Sequence, residues 1–326
     1  THFNMFLPSD HPDFPWIGMV FAPPIIGIWY WCTDQYIVQR VLSAKNVSEA
    51  RKGTIFAGYL KLLPIFMFFI PGLIAYAMTK TGQLSYGSSD QVFPTLVREL
   101  LPSGIRGLVA GGLLAALMSS LSSVFNSCST LFTMDIYKKL YPETDENKLV
   151  FVGRIATGIV VLSGILWIPF IKVVSGAGLY TYLQSVQAYI APPIASVFLL
   201  GLFWSRINAN GALAALVGGF IAGMIRLGLE IKKSTLTVDG IWYQIADLNF
   251  LYFAIFSFLT CVVVLIAVSM LTPPPDLEKI NGLTYDTSKK NIAEADHPKS
   301  DKINSYIILA ILALILIYFS PIGIGG

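Results

Sequence analysis

Ala116, Ser119 and Ser120 stand at i, i+3 and i+4 of an apolar run, so that one backbone carbonyl and two hydroxyls converge on a single helix face. Neutral oxygens in that arrangement suit a dehydrated small hard cation such as sodium, completed by oxygens from another helix. The competing reading is a small-residue packing seam whose serines bond back to their own helix. Upstream, the stretch GIWYWCTDQ at residues 27–35 sets three aromatics beside a thiol, a hydroxyl, a carboxylate and an amide. Lys61 falls inside an apolar run, about seven residues or roughly 10 Å from its cytoplasmic start. It either meets a ligand or snorkels to the inner interface. Gln184 lies near the outer start of another run, three residues before Gln187 and eight before the pair Pro192-Pro193; it is either a ligand or glue between helices. Together with Asp34, Gln35, Gln39 and Asn126, these polar groups at membrane depth are costly unless they face a bundle interior, and they point to a polar cavity. All three histidines (His2, His11, His297) are in loops, which argues against a membrane enzyme with a histidine base, a histidine-held metal or a haem.

The elements that must position these groups are transmembrane helices. The 326 residues are 55% hydrophobic and only 13% charged, with a mean hydropathy of +0.66, which excludes an ordinary soluble domain. Apolar runs near 17–38, 54–79, 104–133, 149–171, 178–204, 209–229, 249–272 and 303–322 predict eight helices able to cross a hydrocarbon core of roughly 30 Å. They lack the alternation a strand barrel requires. One alternating set of loops collects fourteen Lys and Arg and the other seven, so the richer set is read as cytoplasmic and both chain ends as extracellular. The net charge of +3 is that same bias and implies no nucleic-acid partner. Cys32, Cys128 and Cys261 fall within runs, without a CxxC, and predict no disulfide framework. The chain opens at Thr1 with an acidic loop, which is read as a front that has been cut.

Paired prolines, Pro23-Pro24 and Pro192-Pro193, are expected to interrupt two of the runs and free backbone carbonyls. FPTLVRELLP, after a turn-rich TGQLSYGSSD, predicts a short amphipathic helix. Residues 273–302, opening on three prolines and mixed in charge, read as a solvated and poorly ordered linker. In the third run, nine Ser, Thr and Asn residues between Ser119 and Thr133 circle the helix instead of forming a stripe.

The motifs WYWCTDQYIVQRVLSAKN (29–46), GYLKLLP (58–64), LMSSLSSVFNSCSTLFTMDIY (117–137) and PPIASVFLLGLFW (192–204) resemble the sodium/glucose cotransporter branch of the sodium:solute symporter family. The resemblance implies an all-α integral membrane protein of the LeuT-type inverted-repeat fold, with solute import driven by sodium through alternating access. It implies an extracellular loop at 1–16, the second five-helix repeat at 17–204, trailing helices at 205–272, the cytoplasmic linker at 273–302, and a last helix with an extracellular C-terminus at 303–326. The first repeat, with its share of the sugar and sodium sites, is expected outside this sequence.

Position by position, the resemblance implies that Lys61 and Gln184 take sugar hydroxyls, that Tyr30 gates the sugar ring and that Trp31 lines its pocket. Ala116, Ser119 and Ser120 become half of a sodium site. Gly27 departs from the pattern, since sugar carriers tend to place a polar Asn or Thr there. Asp34 is expected on the inner translocation path. The implied partners are a hexose, co-transported sodium and the lipid bilayer of a plasma or inner membrane, with no oligomer required. Myo-inositol, sialic acid, proline, or a sodium or sugar sensor of the same fold are the alternatives.

Overall fold

The computed structural model describes residues 4–174, 178–238, 240–288 and 299–324. In chain order the helices are α1 (Trp16–Ile28), α2 (Gln35–Leu42), α3 (Val47–Leu60), α4 (Ile70–Lys80), α5 (Val92–Leu100), α6 (Ser103–Thr130), α7 (Lys138–Leu140), α8 (Glu146–Val174), α9 (Leu179–Phe203), α10 (Ala209–Ile231), α11 (Ile241–Asp247), α12 (Phe250–Leu271), α13 (Leu277–Ile280) and α14 (Lys299–Tyr318). No strand occurs among the described residues. Among the described residues, eight helical stretches are long and apolar enough to cross a membrane, and each overlaps one of the eight predicted runs. The chain is an all-α, multi-pass membrane protein. The π-helical segments Trp29–Thr33, Ile65–Phe69 and Leu131–Tyr137 lie at helix ends. The chain forms two compact units, residues 1–60 with 180–326, and residues 61–179.

In the first unit, α1, α9 and α12 share a core of Ala22, Ala188, Tyr189, Phe250, Leu251 and Ala254. A second cluster, Ile207, Ala215, Cys261 and Leu265, joins α10 to α12. Close approach explains the small residues of α10. A Cβ on Gly219 would come within 2.6 Å of Pro193 Cβ and 2.7 Å of Cys261 Sγ. Asn208 caps α10 by accepting from Gly211 N–H, and its amide donates to Thr272 Oγ1 (2.7 Å) and Pro273 O (2.8 Å), which ties the start of α10 to the end of α12. At the other end of α12, Asn249 donates to Pro12 O and Asp13 O, and Tyr252 to Ser9 O, so the segment leading into α1 is fastened to the same helix. Tyr59, near the end of α3, donates to Asn304 Oδ1 of α14 at 3.1 Å.

In the second unit, Ala75, Leu84 and Leu96 bring α4, its following turn and α5 together. The amphipathic helix expected from FPTLVRELLP is therefore present, with Leu96 as its buried anchor. Ser129 Oγ of α6 donates to Gly153 O of α8 at 2.8 Å, where a Cβ on Gly153 would crowd that hydroxyl.

Three expectations are corrected. Neither proline pair interrupts its helix: α1 runs through Pro23-Pro24 and α9 through Pro192-Pro193. A proline removes one donor and crowds the preceding turn, but neighbouring packing carries the helix past it. Second, the first run breaks further on, at Asp34, whose backbone is extended (φ −73°, ψ 117°). Third, the start of the expected linker is folded. Asp276 caps α13 by accepting from Glu278 N–H, Thr284 and Thr287 hydroxyls lock the turn that follows, and Tyr285 pairs with the Phe203 ring at 5.5 Å. Residues 289–298 of that stretch lie outside the described residues.

Candidate functional site

The aromatic stretch owes its geometry to a change of helical pitch. From Trp29 to Thr33 the chain widens into a π turn, in which Asp34 N–H reaches back to Trp29 O at 3.2 Å and Thr33 Oγ1 donates to the same carbonyl at 2.6 Å. Such bulges rotate side chains out of the regular helical register and recur at functional positions. Here the bulge groups the rings. Tyr30 meets Trp31 edge-on at 5.1 Å and Tyr36 at 6.0 Å, and the Tyr30 and Tyr36 hydroxyls share a hydrogen bond. Tyr30 is half-buried and Trp31 46% exposed, with the Tyr30 ring standing between those of Trp31 and Tyr36. Gly27, one turn earlier, has space: a Cβ there would meet only Trp31 Cδ1, at 3.9 Å.

Asp34 occupies the N-cap position of α2. Its carbonyl accepts from Ile37 and Val38 N–H, and its carboxylate stands at the positive end of that helix. A charge so placed gains about 0.3–1 kcal/mol. The helix start is thus a local reason for an aspartate in an apolar run.

Gln184 stands on α9, half-buried, and its amide makes no hydrogen bond among the described residues. Its helix buries Tyr182, Ser185, Ala188 and Tyr189 instead. The first unit therefore contains Gly27, Tyr30, Trp31, Asp34 and Gln184. Lys61 opens the second unit, exposed, in the turn that follows α3 and precedes the π segment Ile65–Phe69.

Ala116, Ser119 and Ser120 also belong to the second unit, exposed along α6. Part of the back-bonding alternative is realised beside them: Ser122 and Ser123 hydroxyls both donate to Ser119 O at 3.0 Å. That carbonyl is thereby occupied. The hydroxyls of Ser119 and Ser120 and the carbonyl of Ala116 remain the candidate oxygens.

Sequence reasoning missed a polar cluster in the first unit. Arg226, counted with the loop cations, is buried within α10. Its guanidinium donates to Ile245 O and to Leu248 O (2.6 Å) and lies 5.7 Å from the Phe253 ring centre. Glu230, one turn later, accepts from the Tyr189 hydroxyl. The available signal was the i, i+4 spacing of Arg226 and Glu230 at the end of an apolar run. Tyr36, the partner of Tyr30, was likewise passed over. Among the described residues no cluster of His, Cys, Asp or Glu could hold a metal.

A model of the sodium:solute symporter family matches residues 1–219. Among similar proteins, sodium/myo-inositol cotransporter 2 of Mus musculus is 39% identical over 310 residues, which cover 90% of this chain and 46% of that protein. Sodium/glucose cotransporter 1 of Ovis aries is 40% identical over 288 residues, with 83% and 43% covered. Sodium/glucose cotransporter 4 of Danio rerio is 38% identical over 314 residues, with 91% and 48% covered. The chain spans about half the length of these curated relatives.

Proposed function

The chain belongs to the sodium:solute symporter family, and from that premise we propose that it is the part of a sodium-coupled importer that supplies one wall of the solute site and half of a sodium site. The solute is a neutral polyhydroxylated small molecule, a hexose of the glucose or galactose type. The observation that carries the reading is the π-bulged aromatic segment. Its partly exposed Trp31 indole and hydroxyl-bearing Tyr30 offer the combination a sugar asks for, an apolar ring surface edged by hydrogen-bonding groups. The Gln184 amide adds a donor and an acceptor for hydroxyls, and Lys61 is carried as a further donor by the family resemblance alone. An amino acid would instead ask for partners to a carboxylate and an ammonium.

Sodium enters as cargo. Ala116 O with the Ser119 and Ser120 hydroxyls presents neutral oxygens, which a dehydrated sodium ion accepts without a fixed negative charge. In alternating access, sodium binding favours the outward-open state, solute binding closes the aromatic gate, and both are released inside. About 2.3 kcal/mol per charge per 100 mV, with roughly 1.4 kcal/mol for a tenfold sodium gradient, supports a solute ratio of several hundred at one sodium per solute.

Myo-inositol is a second reading, favoured by a relative of that name that aligns over 90% of this chain and by the absence of a polar side chain at Gly27. Competition of labelled glucose with galactose, myo-inositol and proline, in vesicles containing the full-length protein, tests the solute class. Galactose or inositol competes and proline does not; effective competition by proline alone overturns it. Lys61→Ala abolishes uptake, and normal uptake in that variant would return Lys61 to an interfacial role.

A further inference from the structure

We propose that Tyr189 and Glu230 are positioning residues for solute recognition: their hydrogen bond fixes the rotation of α9 and thereby the aim of Gln184. The inference rests on the solute-site reading above. It starts from a weakness in α9. Pro192 and Pro193 carry no N–H, so the carbonyls of Ala188 and Tyr189 lose their helical donors in the middle of the helix. The half of α9 that bears Gln184 is therefore joined to the rest by two hydrogen bonds fewer than an unbroken helix would have. Something outside the helix has to hold its angle.

Tyr189 is placed to do so. It is 2% exposed, its ring stands edge-on to Phe253 of α12 at 5.4 Å, and its hydroxyl donates to the Glu230 carboxylate of α10. The backbone beside it is seated as closely: a Cβ on Gly223 of α10 would come within 2.7 Å of the freed Tyr189 carbonyl. The acceptor is itself anchored. One turn before Glu230, Arg226 donates to the last carbonyls around α11 and lies over Phe253, which fixes the end of α10 to both α11 and α12. A carboxylate held by this arrangement is a stationary point against which α9 can be registered.

Five residues separate Gln184 from Tyr189, which is about 140° around the helix and roughly 7.5 Å along it. With Tyr189 turned into the α10–α12 surface, Gln184 is directed away from it, towards the side of α9 that packing leaves half-open. Losing the hydroxyl contact frees this angle. A rotation of about 20° carries a side-chain tip near 5.5 Å from the axis through about 2 Å, enough to lose a single neutral hydrogen bond to the solute, about tenfold in affinity. The sodium oxygens on α6 belong to another helix and another unit, so the effect is expected on solute and not on sodium.

The test uses the full-length protein and two independent readouts. In uptake measurements, Tyr189→Phe and Glu230→Ala each raise the solute KM about tenfold, with the maximal rate and the sodium concentration for half-activation within twofold of the parent. Glu230→Gln, which keeps an acceptor oxygen, stays within threefold. The Tyr189→Phe/Glu230→Ala double variant is no worse than either single change, because both remove one interaction. In the second readout, a cysteine replaces Gln184 in a background where Cys32, Cys128, Cys261 and every other cysteine of the full-length protein are serine or alanine, and its reaction rate with a water-soluble thiol reagent is followed. Tyr189→Phe changes that rate severalfold, and Glu230→Gln does not. An unchanged labelling rate, a loss confined to maximal rate or membrane abundance, or additive losses in the double variant would each overturn the proposal. Absence of any sodium-dependent uptake in the parent protein refutes the function instead, while the labelling rate still decides the positioning role.

Discussion

Gly218 and Gly219 are neighbours on one helix and should answer the same substitution in opposite ways. Alanine at either position gains the same helix preference, about 1 kcal/mol over glycine, so that gain cancels when the two variants are compared. What differs is the space. Nothing lies within 4 Å of a Cβ on Gly218, whereas on Gly219 it would meet Pro193 Cβ at 2.6 Å, Cys261 Sγ at 2.7 Å and Pro193 Cγ at 2.9 Å. These neighbours are a buried proline ring on α9 and a buried thiol on α12, not the loose ends of flexible side chains. The helices must part, at the 1–3 kcal/mol typical of an overfilled core. Gly219→Ala therefore unfolds below Gly218→Ala by on the order of 5 °C, measured by tryptophan fluorescence on the purified protein in one detergent. Equal midpoints, or a higher midpoint for Gly219→Ala, would refute the close packing of α9, α10 and α12 on which the proposed solute site rests.

Gly27→Asn is accommodated, because the nearest atom to the new Cβ is 3.9 Å away; it leaves the unfolding midpoint within 2 °C and raises the preference for glucose over myo-inositol about tenfold in competition uptake. Asn208→Ala strips the amide contacts to Thr272 Oγ1 and Pro273 O together with the cap on Gly211. That change costs about 2–4 kcal/mol, read as a lowered unfolding midpoint with solute KM unchanged in the surviving protein.

The eight crossing helices were legible because length and hydropathy are enough to identify a helix whose backbone must be satisfied in lipid. The candidate residues stood out mostly as polar exceptions within those runs, and the motifs around Tyr30, Lys61, Ser119 and Gln184 carried a resemblance that the family match bears out. What stayed hidden was mostly local backbone geometry. The π turn at Trp29–Thr33 adds one residue to a helical turn without any special residue type, so no periodicity announces it. The prolines were misleading for the converse reason. Pro192 and Pro193 look like breakers, yet their helix is held by burial against α10 and α12, including Gly219 seated on the Pro193 ring. Arg226 was misplaced because a cation near the end of an apolar run reads as a loop residue until its carbonyl partners are seen. At Asp34 a helix start, one residue beyond the bulge, supplies a local reason for a carboxylate that the sequence pattern did not show.

Sodium coupling is the central claim, and initial uptake of labelled solute by vesicles containing the full-length protein tests it most directly. With an inward sodium gradient, uptake is predicted to overshoot equilibrium, to collapse when sodium is replaced by choline, and to need a severalfold higher sodium concentration for half-activation in Ser119→Ala/Ser120→Ala. Uptake that is equally fast in choline, with no overshoot, would contradict it.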